Sequence, residues 1–206
     1  MVTLEQNPLD LRRDALREIG NIGAGNAVTA LACLLDRPVQ MSVPHVGVLQ
    51  ANRFIERAGG YEALAVCIYL PVKGDAPGHV AYVLPFESAC QLVDCLLMLT
   101  VGTTREFGEM ERSALMEVGN ILTSSYLMAL AEMSGLNLIA TPPGLAMDMA
   151  AAIVATIATA FSPEEDSLLT IETRIEEGDL KIEGHFIFIP DPGSLTAILR
   201  ALQVEF

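Results

Sequence analysis

Basic side chains are scarce in this sequence: 12 Lys and Arg stand against 26 Asp and Glu, for a formal charge of −14. A field of that sign repels nucleic-acid phosphates and anionic lipid, so neither is an expected partner. Cysteines are few. Cys33, Cys67, Cys90 and Cys95 lie inside apolar runs, without CxxC spacing and without a basic cluster beside them, which argues for core packing in a reduced protein and against thiolate catalysis. The opening residues, MVTLEQNPLDLRRDAL, hold no apolar signal region, and the longest uncharged apolar run, MAAAIVATIATAF from Met149, falls short of the roughly 20 residues a bilayer span requires. These absences predict a cytoplasmic protein without membrane insertion.

Apolar residues, by contrast, make up 51% of the 206 residues and mean hydropathy is +0.42, so the chain is a folded globule with one sizeable core or two small ones. Within it, EIGNIGAGN (Glu18 to Asn26) looks at first like a loop built to cradle phosphate. It has neither a GK[ST] ending nor a preceding apolar strand, the context a nucleotide loop needs. An internal repeat gives a better account. The segment from Asp14 to Pro44 aligns without a gap on the segment from Ser113 to Pro143, every position shifted by the same 99 residues. Glu18/Glu117, Gly20/Gly119, Asn21/Asn120, Leu31/Leu130 and Pro44/Pro143 are among the identical pairs. Gly23, Ala24, Gly25 and Asn26 become Leu122, Thr123, Ser124 and Ser125, so the glycine string is lost while the Glu and Asn remain.

Both copies read as helices. In the first, Asn7 suits the N-cap, Pro8 the first helical position and Asp10 the positive end of the dipole. At helical spacing Leu16, Gly20, Gly23, Ala27, Ala30, Leu31 and Leu34 share one side, matched by Leu115, Gly119, Leu122, Tyr126, Ala129, Leu130 and Met133. That side is expected to pack inward, with the glycines allowing close backbone approach. Asp14, Glu18, Asn21 and Gly25 form an outward polar stripe, repeated as Ser113, Glu117, Asn120 and Ser124. A single exposed Glu or Asn is ordinarily solvated surface. Here the pair recurs while buried positions such as Ile19/Val118 drift, and Asn is a mediocre mid-helix residue, so the repetition points to chemistry or recognition.

The pattern of Asp or Ser, three residues, Glu, two residues, Asn and a distant Pro resembles that of the CheC family of chemotaxis phosphatases, related to CheX and FliY. It occurs as Asp14, Glu18, Asn21, Pro44 and again as Ser113, Glu117, Asn120, Pro143, with LPVKGDAPGHVAYVLP and GHFIFIPDPG in the expected order. No further domain of the kind that would make the chain look like FliY is apparent. The resemblance implies dephosphorylation of the aspartyl phosphate of the response regulator CheY. Asn21 and Asn120 would orient the attacking water, Glu18 and Glu117 would engage the regulator, and Asp14, Ser113, Pro44 and Pro143 would support the motif. It implies no cofactor in this chain, the Mg²⁺ belonging to the regulator. It also implies a second partner, the receptor deamidase CheD, for which the small-residue segment Gly144 to Phe161 offers Met147, Met149 and the single charge Asp148. A non-catalytic module binding the regulator or CheD is the alternative, though a pure scaffold would not need Glu and Asn in both copies.

Other candidates carry less. His79 and His185 each follow a glycine at a strand entrance and look like duplicated structure rather than metal ligands; PEED (Pro163 to Asp166) and IEEGD (Ile175 to Asp179) read as solvated loops or turns. LAVCIYLPV with GHVAYVLP, and LLTIETRIEE with GHFIFIP, form two hairpins; ESACQLVDCLLML and GSLTAILRALQ are closing helices. The expected fold is α+β, internally duplicated and pseudo-twofold, with a largely antiparallel sheet and helices packed against it. The short junction TVGTTREFGEM predicts a single domain over 1–206 made of repeats at about 8–100 and 107–204.

Overall fold

A computed structural model describes residues 8–161, 167–177 and 180–203. The first repeat contributes α1 (Pro8–Leu35), β1 (Gln40–Gln50), α2 (Ala51–Arg57), β2 (Leu64–Gly74), β3 (Gly78–Pro85) and α3 (Phe86–Leu96). The second contributes α4 (Glu109–Ser134), β4 (Leu138–Ala140), β5 (Gly144–Met149), α5 (Ala150–Phe161), β6 (Ser167–Glu177), β7 (Leu180–Pro190) and α6 (Ser194–Ala201). Helix α1 begins at Pro8, where a missing N–H costs nothing; the proposed cap Asn7 lies outside the described residues. Helix α4 ends at Gly135, whose φ of 72° and N–H bond to Ala131 O close the last turn.

The strands form one seven-stranded sheet, ordered β1-β6-β7-β3-β2-β4, with β5 also on β2, and every pairing is antiparallel. Strands of the two repeats therefore interleave. At the centre β3 meets β7 with Ala81 opposite Ile187, each the third residue after the glycine of a Gly-His pair; Gly78 opens β3 as expected, but Gly184 lies inside β7, which already starts at Leu180 and pairs with β6 ahead of it. Equivalent residues of equivalent strands can face each other only about a twofold axis, which locates the pseudo-dyad.

Alternation along the strands builds a core on each face. Val66, Ile68, Leu70 and Val72 of β2, Val80, Tyr82 and Leu84 of β3, and Phe186 and Phe188 of β7 point to the side covered by α1, α4 and α3. Ala65, Cys67, Ala81, Val83, Ile187 and Ile189 point to the other side, where Phe54 and Ile55 of α2 and Ile153, Val154 and Ile157 of α5 cover them. Cys67, Cys90 and Cys95 are buried as expected, but Cys33 is exposed in the last turns of α1. Leu34, assigned to the inward stripe, is 42% exposed; Leu31 and Leu35 carry the contact there instead. Ile175, read as part of a loop, is buried within β6, because its register with Ile182 turns it into the core; 162–166 and 178–179 lie outside the described residues.

Within α1 from Arg17 to Leu35, and within α4, an 18-residue stretch reaches a mean hydropathy of 1.2, and both helices are long enough to cross a membrane by length and composition. Their apolar sides are occupied, since the two helices lie against each other over the sheet. Tyr126 of α4 rests on Gly23 of α1, where a Cβ would collide with its ring. At the equivalent positions the second repeat has Leu122 for Gly23 and the first has Ala27 for Tyr126, so large and small residues exchange places about the dyad. The glycine string answers to this contact, not to a phosphate.

Candidate functional site

Each long helix carries its polar stripe away from the core. Gly20 and Gly119 are buried, and they fix the rotation of the helices: a Cβ on Gly20 would lie 3.1 Å from Val46 Cγ2, and one on Gly119 would strike Ile68. With those positions seated on the sheet, geometry forces Asp14, Glu18 and Asn21 outward on α1, and all three are exposed. On α4, Ser113 and Glu117 are exposed and Asn120 is half-buried. Glu18, Asn21, Glu117 and Asn120 make no hydrogen bond or ion pair with a described residue. Their polar atoms are free to engage something else.

The connections after the helices differ. In the first repeat β1 runs through Pro44 with a bulge between Ser42 and His45, pairing with β6 on both sides of it. In the second, the equivalent strand breaks at Thr141–Pro142–Pro143 into β4 and β5, opposite Pro71 of the first repeat's β2, which has no N–H to give the ladder. Thr141 pins the break, its N–H and its Oγ1 each donating to Pro71 O at 2.9 Å. A groove of about 510 Å³ opens there, lined by Ser113, Met116, Glu117, Asn120, Ala140, Thr141, Pro142 and Pro143. All four motif residues of the second repeat thus line one cavity. Met116, Thr141 and Pro142 share it without having been singled out in the sequence; the Pro-Pro doublet after a strand was the available signal.

Asp148 is exposed on β5, where its Oδ1 accepts the N–H of Met149 at 2.7 Å. It borders a separate hollow of about 380 Å³ between β5 and α5, on the opposite face of the sheet from α4, together with Cys67, Tyr69 and Leu145. Burial pushes the Cys67 thiol up to about 12, so it is no nucleophile. His79 Nδ1 lies 2.6 Å from Tyr69 Oη and its Nε2 3.2 Å from Asp191 Oδ1. His185 is buried edge-on to Phe54, and burial chiefly holds its imidazole below the ordinary 6.5. Among the described residues no group of three or more His, Cys, Asp and Glu side chains is placed to hold a metal.

Asp94, in the last turn of α3, was not anticipated. Fully buried, it accepts hydrogen bonds from the N–H groups of Gly102, Thr103 and Thr104 and from Thr104 Oγ1, at 2.6–3.1 Å. It ties down the junction between the repeats. The signal was an acid among the apolar residues of the helix's last turns, ahead of a Gly/Thr turn.

Fold and stripes together define a class: a pseudo-twofold α+β protein that presents the same acidic-amide pair on two equivalent core helices. The CheC-like family model matches residues 11–48 and 110–147, the two helix-and-connection units. The CheY-P phosphatase CheC of Bacillus subtilis is 33% identical over 193 residues, covering 92% of each chain. The chain belongs to the CheC-like family. Among solved structures, Thermotoga maritima FliY superposes with a TM-score of 0.73 at 21% identity, over 97% of this chain and 98% of that one. A chain of the CheX–CheY–BeF3–Mg²⁺ complex of Borrelia burgdorferi does so at 0.52 and 15% identity, over 85% and 97%. Both share the fold.

Proposed function

We propose that this chain hydrolyses the aspartyl phosphate of a CheY-type response regulator, with Asn21 and Asn120 orienting the water and Glu18 and Glu117 engaging the regulator. The observation that carries the reading is the duplicated Glu/Asn pair, outward and unengaged on both helices. The family supports the activity, as does the relative named a CheY-P phosphatase. The chemistry suits an amide. Water adds to phosphorus, the bond from phosphorus to the acyl oxygen breaks, and the aspartate leaves as carboxylate. The carboxamide offers one acceptor and two donor hydrogens and does not titrate, so it holds the water in line without acting as a general base. An acyl phosphate is already labile, and positioning alone can contribute several kcal/mol. The Mg²⁺ sits in the regulator's acidic pocket on this reading, and Asp14, Ser113, Pro44 and Pro143 shape the surround.

Regulator dephosphorylation by Asn21→Ala/Asn120→Ala provides the test. Assisted hydrolysis should vanish with the fold intact, and each single variant should keep activity. A double variant that still shortens the phosphoregulator's lifetime refutes the water-positioning role, and one that binds the regulator without loss while the wild type never hydrolyses it favours a non-catalytic module. The second expected partner is CheD. Exposure of Met147 (42%) and Met149 (47%) beside Asp148 supports a docking role for β5. Asp148→Lys should weaken CheD binding and spare phosphatase activity, as read by pull-down alongside the hydrolysis assay.

A further inference from the structure

The two stripes share Glu and Asn but not their surroundings. Arg17 stands between Asp14 and Asn21 in the first repeat, exposed and without an ion pair to a described residue; its equivalent in the second is Met116. Arg17 lies four residues before Asn21 and so on the neighbouring turn, within reach of whatever Asn21 touches. Met116 instead lines the groove with Pro142 and Pro143. The connections follow suit. Val43 leans onto α1, its Cγ1 3.4 Å from where a Gly20 Cβ would be, whereas the three atoms nearest the same point on Gly119 all belong to Ile68. The second repeat's equivalent of Val43, Pro142, is exposed on the groove's rim.

We infer that the two sites recognise the phosphorylated regulator by different chemistry: the first by charge, through Arg17, and the second by insertion of an apolar side chain of the regulator into the groove of Met116, Thr141 and Pro142. The inference rests on the phosphatase reading above. A phosphoryl group and its flanking carboxylates present negative charge, which Arg17 attracts and Met116 ignores; Asp14, which stands where the second repeat has Ser113, lies seven residues from Asn21 rather than four and offsets this attraction less. The groove is continuous with Glu117 and Asn120, so whatever brings phosphate to Asn120 lies across it. Arg17 and Met116 are thus specificity-determining residues, one per site.

Salt separates the two modes, because screening acts on exposed charge and hardly on apolar contact. Asn120→Ala leaves the first site and Asn21→Ala the second; both carry the same overall negative field, so its screening cancels in the ratio of their KM values for phosphoregulator. Raising ionic strength from about 0.05 M to about 0.5 M should increase that ratio, first site over second, by roughly threefold or more. Arg17→Met added to the first-site protein should abolish the increase. Met116→Arg added to the second-site protein should create a salt-dependent KM, a gain that a mere folding defect would not produce. Equal salt dependence in the two single-site proteins, or none transferred by the exchange, overturns the inference and leaves the phosphatase reading standing; activity surviving in Asn21→Ala/Asn120→Ala removes that reading instead.

Discussion

Single atoms decide how the helices sit. At Gly119 even a methyl group meets Ile68, and at Gly20 it meets Val46 at 3.1 Å, so Leu at either position should cost about 1–3 kcal/mol, Gly119→Leu the more, in urea-unfolding midpoints. Glu18→Ala, on the exposed stripe, should change stability by less than about 0.5 kcal/mol. Gly25 is the contrast: nothing lies within 4 Å of its would-be Cβ, and Gly25→Ala should raise the unfolding free energy by about 0.5–1 kcal/mol. Much of this was legible, because a duplicated sequence exposes which positions tolerate change and which do not. The buried role of Gly20 and Gly119 and the outward Glu and Asn follow from helical spacing alone. The partner of Gly23 does not: Tyr126 belongs to another helix a hundred residues on, and no periodicity within one helix reports it.

At the level of elements, hairpins and helices were readable from alternation and spacing, and Pro142–Pro143 signalled an interruption, while the pairing that pins the break between β4 and β5 was not readable. It depends on Pro71 withholding a hydrogen bond from a neighbouring strand, and pairing partners are invisible in a local pattern. The α3 junction obeys the same logic, since the donors that Asp94 gathers become its neighbours through a turn. Burial acts to raise the Asp94 carboxyl, but the Thr104 hydroxyl and the three backbone N–H groups outweigh it, and the group lies below its ordinary 3.8. A depressed carboxylate stabilises the fold fully above 3.8 and loses that contribution as pH falls through its folded value. Asp94→Asn should therefore lower stability by about 1–3 kcal/mol at neutral pH, the amide turning donors toward donors. The gap between variant and wild type should stay constant down to pH 5 and narrow below 3.8; a gap that widens in acid contradicts the assignment.

Across the whole molecule, neither repeat closes on itself. Strand β1 hydrogen-bonds to β6, and β3 to β7, so each half completes the other's sheet. Residues 1–106 expressed alone should show no cooperative melting, and 1–106 with 107–206 should copurify and regain it; a sharp transition in the isolated first half would show that its core suffices. Long-range pairing of this kind also predicts refolding on the millisecond-to-second scale. The order of synthesis gives the interleaved sheet a further cost. While the ribosome is still translating the second repeat, the β2–β3 hairpin has left the tunnel with β3's outer edge bare and β1 without any partner, since β6 and β7 are the last strands made. For the several seconds that translation of the remaining residues takes, the nascent chain presents an apolar sheet edge to the cell. Message truncation or ribosome pausing after the first repeat would yield not half an enzyme but an aggregation-prone client for chaperones.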